Sequence, residues 1–490
     1  MNVALIMIFG CLLISLYLGI KARKGKNMNL EEWAVGGRGF GTIFTFFLGA
    51  GESFTTFTFL GASGWAYSKG APSYYILAYL SLAYILAYFI LPKIWQYGKK
   101  HNLVSHPDLF VSKYKSKSLG VLVALVGMLP TIAYIVLQFK GLGIIVSATS
   151  YGKISPDLAI WISVISVTIY VMISGIHGSA WTAVMKDILV LSLVVFIGIY
   201  MPFHYYGGIH PMFQAVSEAK PDFFTFPEKG LNLTWYISTV FLTVIGYYMF
   251  PHTFGPIYSA KSGNALRRNA VITPLYTLML LFILFVGFTA VLQIPGLEGA
   301  AGDLALLKLV TKTFDPWFVG LIGAAGLLTA LVPGSVLLMT GATILTKNVY
   351  TVFFPNTTDE KLLIKTKLLV PVLSAIGLYF ALDKGNSLVT LSLMAFNLAT
   401  QFFPPLVAAF FKNSVVTKHG AFTGIIVGVG IVAYVTITKT SMATLFPFMP
   451  SFIQDLNIGF IALVINAISM VIVSIISQAV VNVKDKSETI

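Results

Sequence analysis

The chain has 490 residues, 57% of them hydrophobic and 10% charged, with a net charge of +14 and one cysteine. Apolar runs of about 20 residues, the length needed to cross a bilayer core, recur along it and exclude a soluble globular domain. Cys11 lies alone inside the first run, which removes a disulfide framework and a cysteine metal site and leaves the redox compartment open.

The first run, 2–20, is too long for a signal-peptide core, has no basic residue before it and is followed by a basic block, so it reads as a retained transmembrane helix. That block carries Lys21, Arg23, Lys24, Lys26 and Arg38, and the loop after the third run carries Lys93, Lys99, Lys100, Lys113, Lys115 and Lys117. The intervening loop at 68–72 has only Lys69. Alternate loops are therefore basic, as the positive-inside rule requires, which puts the N-terminus outside, the C-terminal tail in the cytoplasm and the protein in the cell membrane. Membrane lipid, rather than nucleic acid, accounts for the charge, because the basic residues sit in short loops and not along one aromatic-studded face.

Spans are expected at 2–20, 41–67, 73–95, 119–148, 157–176, 180–206, 233–260, 270–296, 317–346, 365–383, 387–411, 421–438 and 457–480: thirteen helices in an all-α polytopic protein with a single transmembrane domain. The longer linkers 206–232 and 295–317 are expected to hold short amphipathic helices on the external side.

Two spans are laced with helix breakers. In GAGESFTTFTFLGASGWAYSKG (49–70), four glycines precede the closing Lys-Gly pair and Thr55, Thr56 and Thr58 are placed to satisfy freed backbone groups; TVIGYYMFPHTFGPIYSAKS (243–262) has Gly246, Pro251, Gly255 and Pro256. Irregular backbone at membrane depth is tolerated only where it is buried or lines a cavity. Two breaks five spans apart point to a midplane site in an inverted-repeat transporter. This gives a first repeat at 41–206 and a second at 233–411, flanked by an extra helix with its basic loop at 1–40 and two helices with a tail at 412–490. The competing reading is close packing of glycine-rich helices.

The stretches LEEWAVGGRGFG (30–41), FLGASGWAYSKGAP (59–72), VSHPDLFVSKY (104–114), GSAWTAVMKD (178–187), FPHTFGPIYSAKS (250–262), TILTKNVY (343–350) and FFPPLVAAFFK (402–412) match, in order, signatures of the sodium:solute symporter family. The chain resembles that family over nearly its whole length, and within it the monocarboxylate permease subgroup. The resemblance implies a five-plus-five inverted-repeat core of the leucine-transporter type, with substrate between the broken helices and alternating access by movement of one bundle against another.

In sodium-coupled members, the resemblance places a sodium ion between backbone carbonyls at the first break, here those of Gly51 and Phe54, and a hydroxyl pair on the ninth span. Here Val332 and Pro333 stand where the hydroxyl pair belongs, Thr329 takes the position of a third carbonyl, and Ala183 replaces an aspartate after Trp181 and Thr182. One turn beyond Ala183 is Lys186, whose ammonium has the charge of sodium and is able to exchange protons. Its bland alternative is snorkelling to the headgroups, and Asp187 is expected to be only a loose partner because adjacent helical residues diverge.

Among the acidic residues only Glu52 and Asp187 fall within apolar spans. Glu52 is a candidate proton carrier or partner of Lys186, or a group bonded to backbone at the break. Lys140 is expected to snorkel at the outer end of its span, and His252 either binds a carboxylate or serves structurally. The carboxylate's expected seat is the half-helix beginning at Thr55, Thr56, Phe57 and Thr58, where unpaired amides and the positive end of a dipole favour an anion. Gln138, Tyr247, Tyr248, Asn397 and Gln401 are facing candidates.

The expected function is secondary active symport of a small organic solute such as pyruvate or lactate, with a proton as the coupling cation through Lys186 and no cofactor. The alternatives are sodium coupling through a rearranged site using Thr329 and Ser335, with amino acids or other small solutes as cargo, and a transport-derived sensor. Enzyme chemistry is not expected: the seven histidines are scattered and no HExxH or paired-acid motif occurs.

Overall fold

The computed structural model describes residues 3–24, 29–383, 385–411 and 414–487, so Asn2, Lys26, Lys412 and the last three residues lie outside the described part. Its elements in chain order are α1 (Val3–Arg23), α2 (Thr42–Ser53), α3 (Phe57–Lys69), α4 (Tyr75–Lys100), α5 (His106–Tyr114), α6 (Lys117–Thr149), α7 (Pro156–Tyr206) and α8 (Ile209–Ala219). There follow α9 (Leu233–Met249), α10 (Pro251–Ser259), α11 (Gly263–Gln293), α12 (Ala305–Thr313), α13 (Pro316–Phe353), α14 (Asp359–Ala381), α15 (Leu388–Ala408), α16 (Lys418–Thr438) and α17 (Ile458–Ser487). No strand occurs among the described residues, which makes the protein all-helical.

Among the described residues, ten helices are long and apolar enough to cross a membrane, and two bent pairs raise the number to twelve. The bent pairs are α2 with α3, at 53°, and α9 with α10, at 52°, in the two stretches where glycine and proline clusters predict breaks. A single parallel bridge ties them at one end: Phe40 N–H donates to Ser259 O at 3.0 Å and Lys261 N–H to Phe40 O at 2.8 Å.

The expected gap between spans at 157–176 and 180–206 is instead one run of 51 helical residues with a kink at Gly175 (φ 59°, ψ −165°). Only glycine adopts that conformation without strain, and a Cβ there would also stand 2.8 Å from Trp33 Cδ1. The helix turns a corner without a loop, so its residues 177–179 remain helical. α8 and α12 occupy the linkers expected to hold short amphipathic helices.

Lys99 and Lys100 at the end of α4, Lys113 on α5 and the start of α11 mark one face, called here the basic face; the end of α3, α12 and the start of α15 mark the opposite face. α7 packs against α1, α6 and α13, and its second half runs alongside α2. Lys186 is thereby brought to the first break.

Candidate functional site

α2 stops at Ser53 because Phe54 leaves the helical conformation (φ −103°, ψ 89°). Beyond it, no regular helix continues to occupy the carbonyls of Gly51 and Phe54. Both point at Lys186 Nζ, at 3.0 and 2.9 Å. The third neighbour of the ammonium is Asp187 Oδ1 at 2.9 Å. An ammonium has three protons and no acceptor, and here it meets three oxygens. Lys186 is fully buried, so the long stem reaches inward and does not snorkel. The expected looseness of Asp187 is corrected: the flexible four-carbon chain lets Nζ swing back to the neighbouring carboxylate although the two Cβ atoms diverge. Tyr276, on α11, donates its hydroxyl to the same Oδ1 at 2.8 Å.

The wall behind Gly51 is apolar. A Cβ placed on Gly51 would lie 3.3 Å from Val332 Cγ1, 3.4 Å from Ala183 Cβ and 3.7 Å from Lys186 Nζ. Thr329 spends its hydroxyl on Gly326 O (2.6 Å), and Ser335 bonds to Ser179 (2.7 Å) and Val332 O (2.6 Å). Neither hydroxyl hydrogen-bonds at the Lys186 position.

Glu52 forms no ion pair with Lys186. Its Oε2 lies 3.4 Å from His252 Nε2, across the second break, and neither carboxylate oxygen has a hydrogen bond. His252 stacks on Tyr134, with centroids 5.8 Å apart, and its Nδ1 has no hydrogen-bond partner. One residue on, Ser53 links the two breaks, its hydroxyl 2.6 Å from both Tyr84 and Tyr247; Tyr248 meets Tyr84 and Tyr247 edge-on.

The amides expected to be open at the start of α3 are partly closed. Thr58 Oγ1 accepts from Thr55 N–H at 2.8 Å and Thr55 Oγ1 accepts from Phe57 N–H at 3.1 Å. Short hydroxyl side chains offer such local acceptors wherever backbone is freed. Thr56 donates to Gln138 Oε1 at 2.8 Å, leaving Gln138 Nε2 as a fully buried donor without a partner.

Asn397 and Gln401 lie elsewhere. Gln401 Nε2 donates to Asn397 O and to Gly459 O on α17, and its Oε1 accepts from Asn466 of the same helix at 3.1 Å. Gln401 thus holds α17, and Asn397 Oδ1 abuts Gly459 of that helix without a hydrogen bond, because α16 and α17 cover that side of α15.

In the basic-face half, a narrow cleft of about 60 Å³ runs between α2, α4, α9, α10 and α11; Glu52, Tyr84, Tyr247, Asn269 and Thr273 are among its lining. Ser53, Tyr84, Asn269 and Tyr276 were not legible as site residues, since a hydroxyl or amide on an apolar helix does not say which way it faces.

Two networks outside the spans fix the faces. On the basic face Asp108 accepts from Lys347 (2.8 Å), Asn348 (2.7 Å), Val104 N–H (3.0 Å) and Ser105 N–H (3.1 Å). Burial alone would raise its pKa, but Lys347 and these hydrogen bonds outweigh that and hold it below the ordinary value. On the opposite face Asp303 accepts from Leu388 N–H, the first residue of α15, at 2.8 Å. Burial pushes Asp303 up to about 7, against the pull of that amide and of Lys140. Lys140 itself is 9% exposed and so does not snorkel freely.

The family model for the sodium:solute symporter family matches residues 33–428. The chain belongs to that family. It is 58% identical over 98% of both chains to the uncharacterized symporter YhjB of Bacillus subtilis, and 28% identical to a monocarboxylate transport permease protein of Rhizobium johnstonii, over 78% of this chain and 80% of the relative. Its fold matches that of a Na+-coupled sialic acid symporter solved in a substrate-bound, outward-open state, with a TM-score of 0.78 over 98% of each chain at 19% identity. Membership makes the protein an integral membrane, cation-coupled symporter of a small solute.

Proposed function

We propose that this symporter imports a small monocarboxylate, such as pyruvate or lactate, and that its coupling cation is a proton carried by Lys186. The observation that carries this reading is the seat of the Lys186 ammonium on the carbonyls of Gly51 and Phe54, at 3.0 and 2.9 Å. Those carbonyls are where the family resemblance puts sodium, and Val332 and Ala183 beside them supply no oxygen. A bare sodium ion there would be poorly repaid for its lost hydration. The charged amine satisfies all three oxygens around it; the neutral amine has one donor fewer and loses its attraction to Asp187. The two protonation states thus interact differently with α2, the differential that coupling requires.

The monocarboxylate reading is supported by the relative described as a monocarboxylate permease. With two amides at the start of α3 already bonded, the donor Gln138 Nε2 beside Thr56 is the better seat for a carboxylate oxygen. Counting each bent pair as one crossing and the kinked α7, far longer than about 20 residues, as two, the reading has thirteen crossings. It puts the N-terminus outside, the basic face in the cytoplasm, and five-plus-five repeats related across the membrane.

The test is uptake of labelled pyruvate by purified protein in liposomes, with an imposed pH gradient and choline replacing sodium. Accumulation in wild type and its loss in Lys186→Ala is the expected result. Strict sodium dependence of wild type would reject it.

A further inference from the structure

Lys186, Asp187 and their oxygen partners are fully enclosed, so a proton leaving the ammonium needs a way out. Three polar side chains of α11 stand at i, i+4 and i+7, on one helical face: Asn269, Thr273 and Tyr276. Asn269 and Thr273 line the cleft that occupies the basic-face half. Tyr276, one turn further, holds Asp187 Oδ1. Asn269 is 8% exposed, and both its amide atoms lack a hydrogen-bond partner, as do both oxygens of Glu52 across the cleft and Oδ2 of Asp187. Buried polar atoms of this kind are ordinarily satisfied by protein or water. The cleft, at about 60 Å³, exceeds the ~10–15 Å³ one water needs.

We propose that this cleft is a hydrated conduit that carries the proton of Lys186 to the basic face, with Asp187 as its first acceptor and Tyr276, Thr273 and Asn269 marking its course. The inference rests on Lys186 being the coupling group. The step balances: an N–H bond of the ammonium breaks, an O–H bond forms on Asp187, and that proton passes to water in the cleft. A neutral amine and a carboxylate remain, the latter still bonded by the Tyr276 hydroxyl. Other titratable groups facing the route are Glu52 on α2, His252 at the second break, Tyr84 on α4 and Tyr247 and Tyr248 on α9. Glu52 is placed to hold the proton in transit.

The test uses the full chain with Cys11→Ser as background and single cysteines at Asn269, Thr273 and, as a lipid-facing control on the same helix, Leu275, which is 70% exposed. A small charged methanethiosulfonate is applied from the basic face of proteoliposomes. Reaction at positions 269 and 273, but not 275, is expected. Modification at 273 is further expected to abolish pH-gradient-driven pyruvate accumulation while pyruvate counterflow, which needs no net proton movement, persists. An unreactive cysteine at 273, or equal loss of counterflow, overturns the conduit. If 273 is unreactive while Lys186→Ala still abolishes sodium-free accumulation, only the conduit falls; if wild-type uptake is strictly sodium-dependent, both fall.

Discussion

Lys186 Nζ pairs with Oδ1 of Asp187, its own neighbour in the chain, at 2.9 Å, with both side chains buried. The pair exists because Tyr276 and the two carbonyls of the break complete it from other helices. Removing one partner of a buried pair leaves an uncompensated charge and costs roughly 3–5 kcal/mol, whereas replacing both by apolar groups is often neutral. Lys186→Ala should therefore melt well below wild type in detergent, and Lys186→Met with Asp187→Leu should recover only part of the loss, because the carbonyls of Gly51 and Phe54 and the Tyr276 hydroxyl stay unpaired. Equal melting of wild type and the single variant would contradict the geometry.

The kink that turns α7 rests on one residue. Gly175→Ala places a Cβ against Trp33 in a left-handed conformation, at a cost of about 1–3 kcal/mol. Thermal melting should show the loss, and Gly178→Ala, elsewhere in the same helix, does not test the same strain because its φ is negative.

Asp108 gives a pH-dependent contribution of known sign. Its folded pKa lies below the ordinary 3.8, so its stabilisation is fully present above the unfolded value and is lost as pH falls through the folded one. Asp108→Ala should cost roughly 2–3 kcal/mol at neutral pH, the scale of charge-assisted hydrogen bonds. The gap from wild type should narrow below about pH 4. A gap that widens on acidification would reverse the assignment.

Asp303 works the other way. With a pKa of about 7 where it caps α15, against an ordinary 3.8, buried Asp303 binds a proton that a solvent-exposed Asp303 would release. Raising pH from about 4 to about 7 should favour opening, with no further change above that. In a Ser68→Cys variant on the Cys11→Ser background, labelling relative to the same protein with Asp303→Asn should rise over this interval and then level off. A ratio flat with pH would contradict the raised pKa of Asp303.

The apolar runs, basic loops and two breaker clusters made the membrane helices and both bends legible, since length, charge and glycine or proline act locally. The lack of side-chain oxygens at Ala183, Val332 and Pro333 likewise singles out Lys186 in the sequence. Pairings that depend on how helices rotate against one another were not legible: Tyr276 with Asp187, Glu52 with His252, and Gln401 turned toward α17. The threonines near the break carry two expectations, and the backbone one holds for Thr55 and Thr58, whose hydroxyls accept from freed amides and so leave those amides closed to a ligand. The gap expected at 177–179 is helix continuing past the corner at Gly175, because hydropathy marks where apolar stretches end, not whether the hydrogen bonds continue.

In the proposed coupling, the ammonium of Lys186 takes the part of a bound sodium ion. The most direct test is proton movement itself, followed with a pH-sensitive dye trapped in sodium-free, weakly buffered proteoliposomes when pyruvate is added outside. Proton coupling through Lys186 requires internal acidification coupled to pyruvate entry in wild type, reduced to the level of protein-free liposomes in Lys186→Ala. Acidification that appears only when sodium is supplied, or that is undiminished in Lys186→Ala, would contradict it.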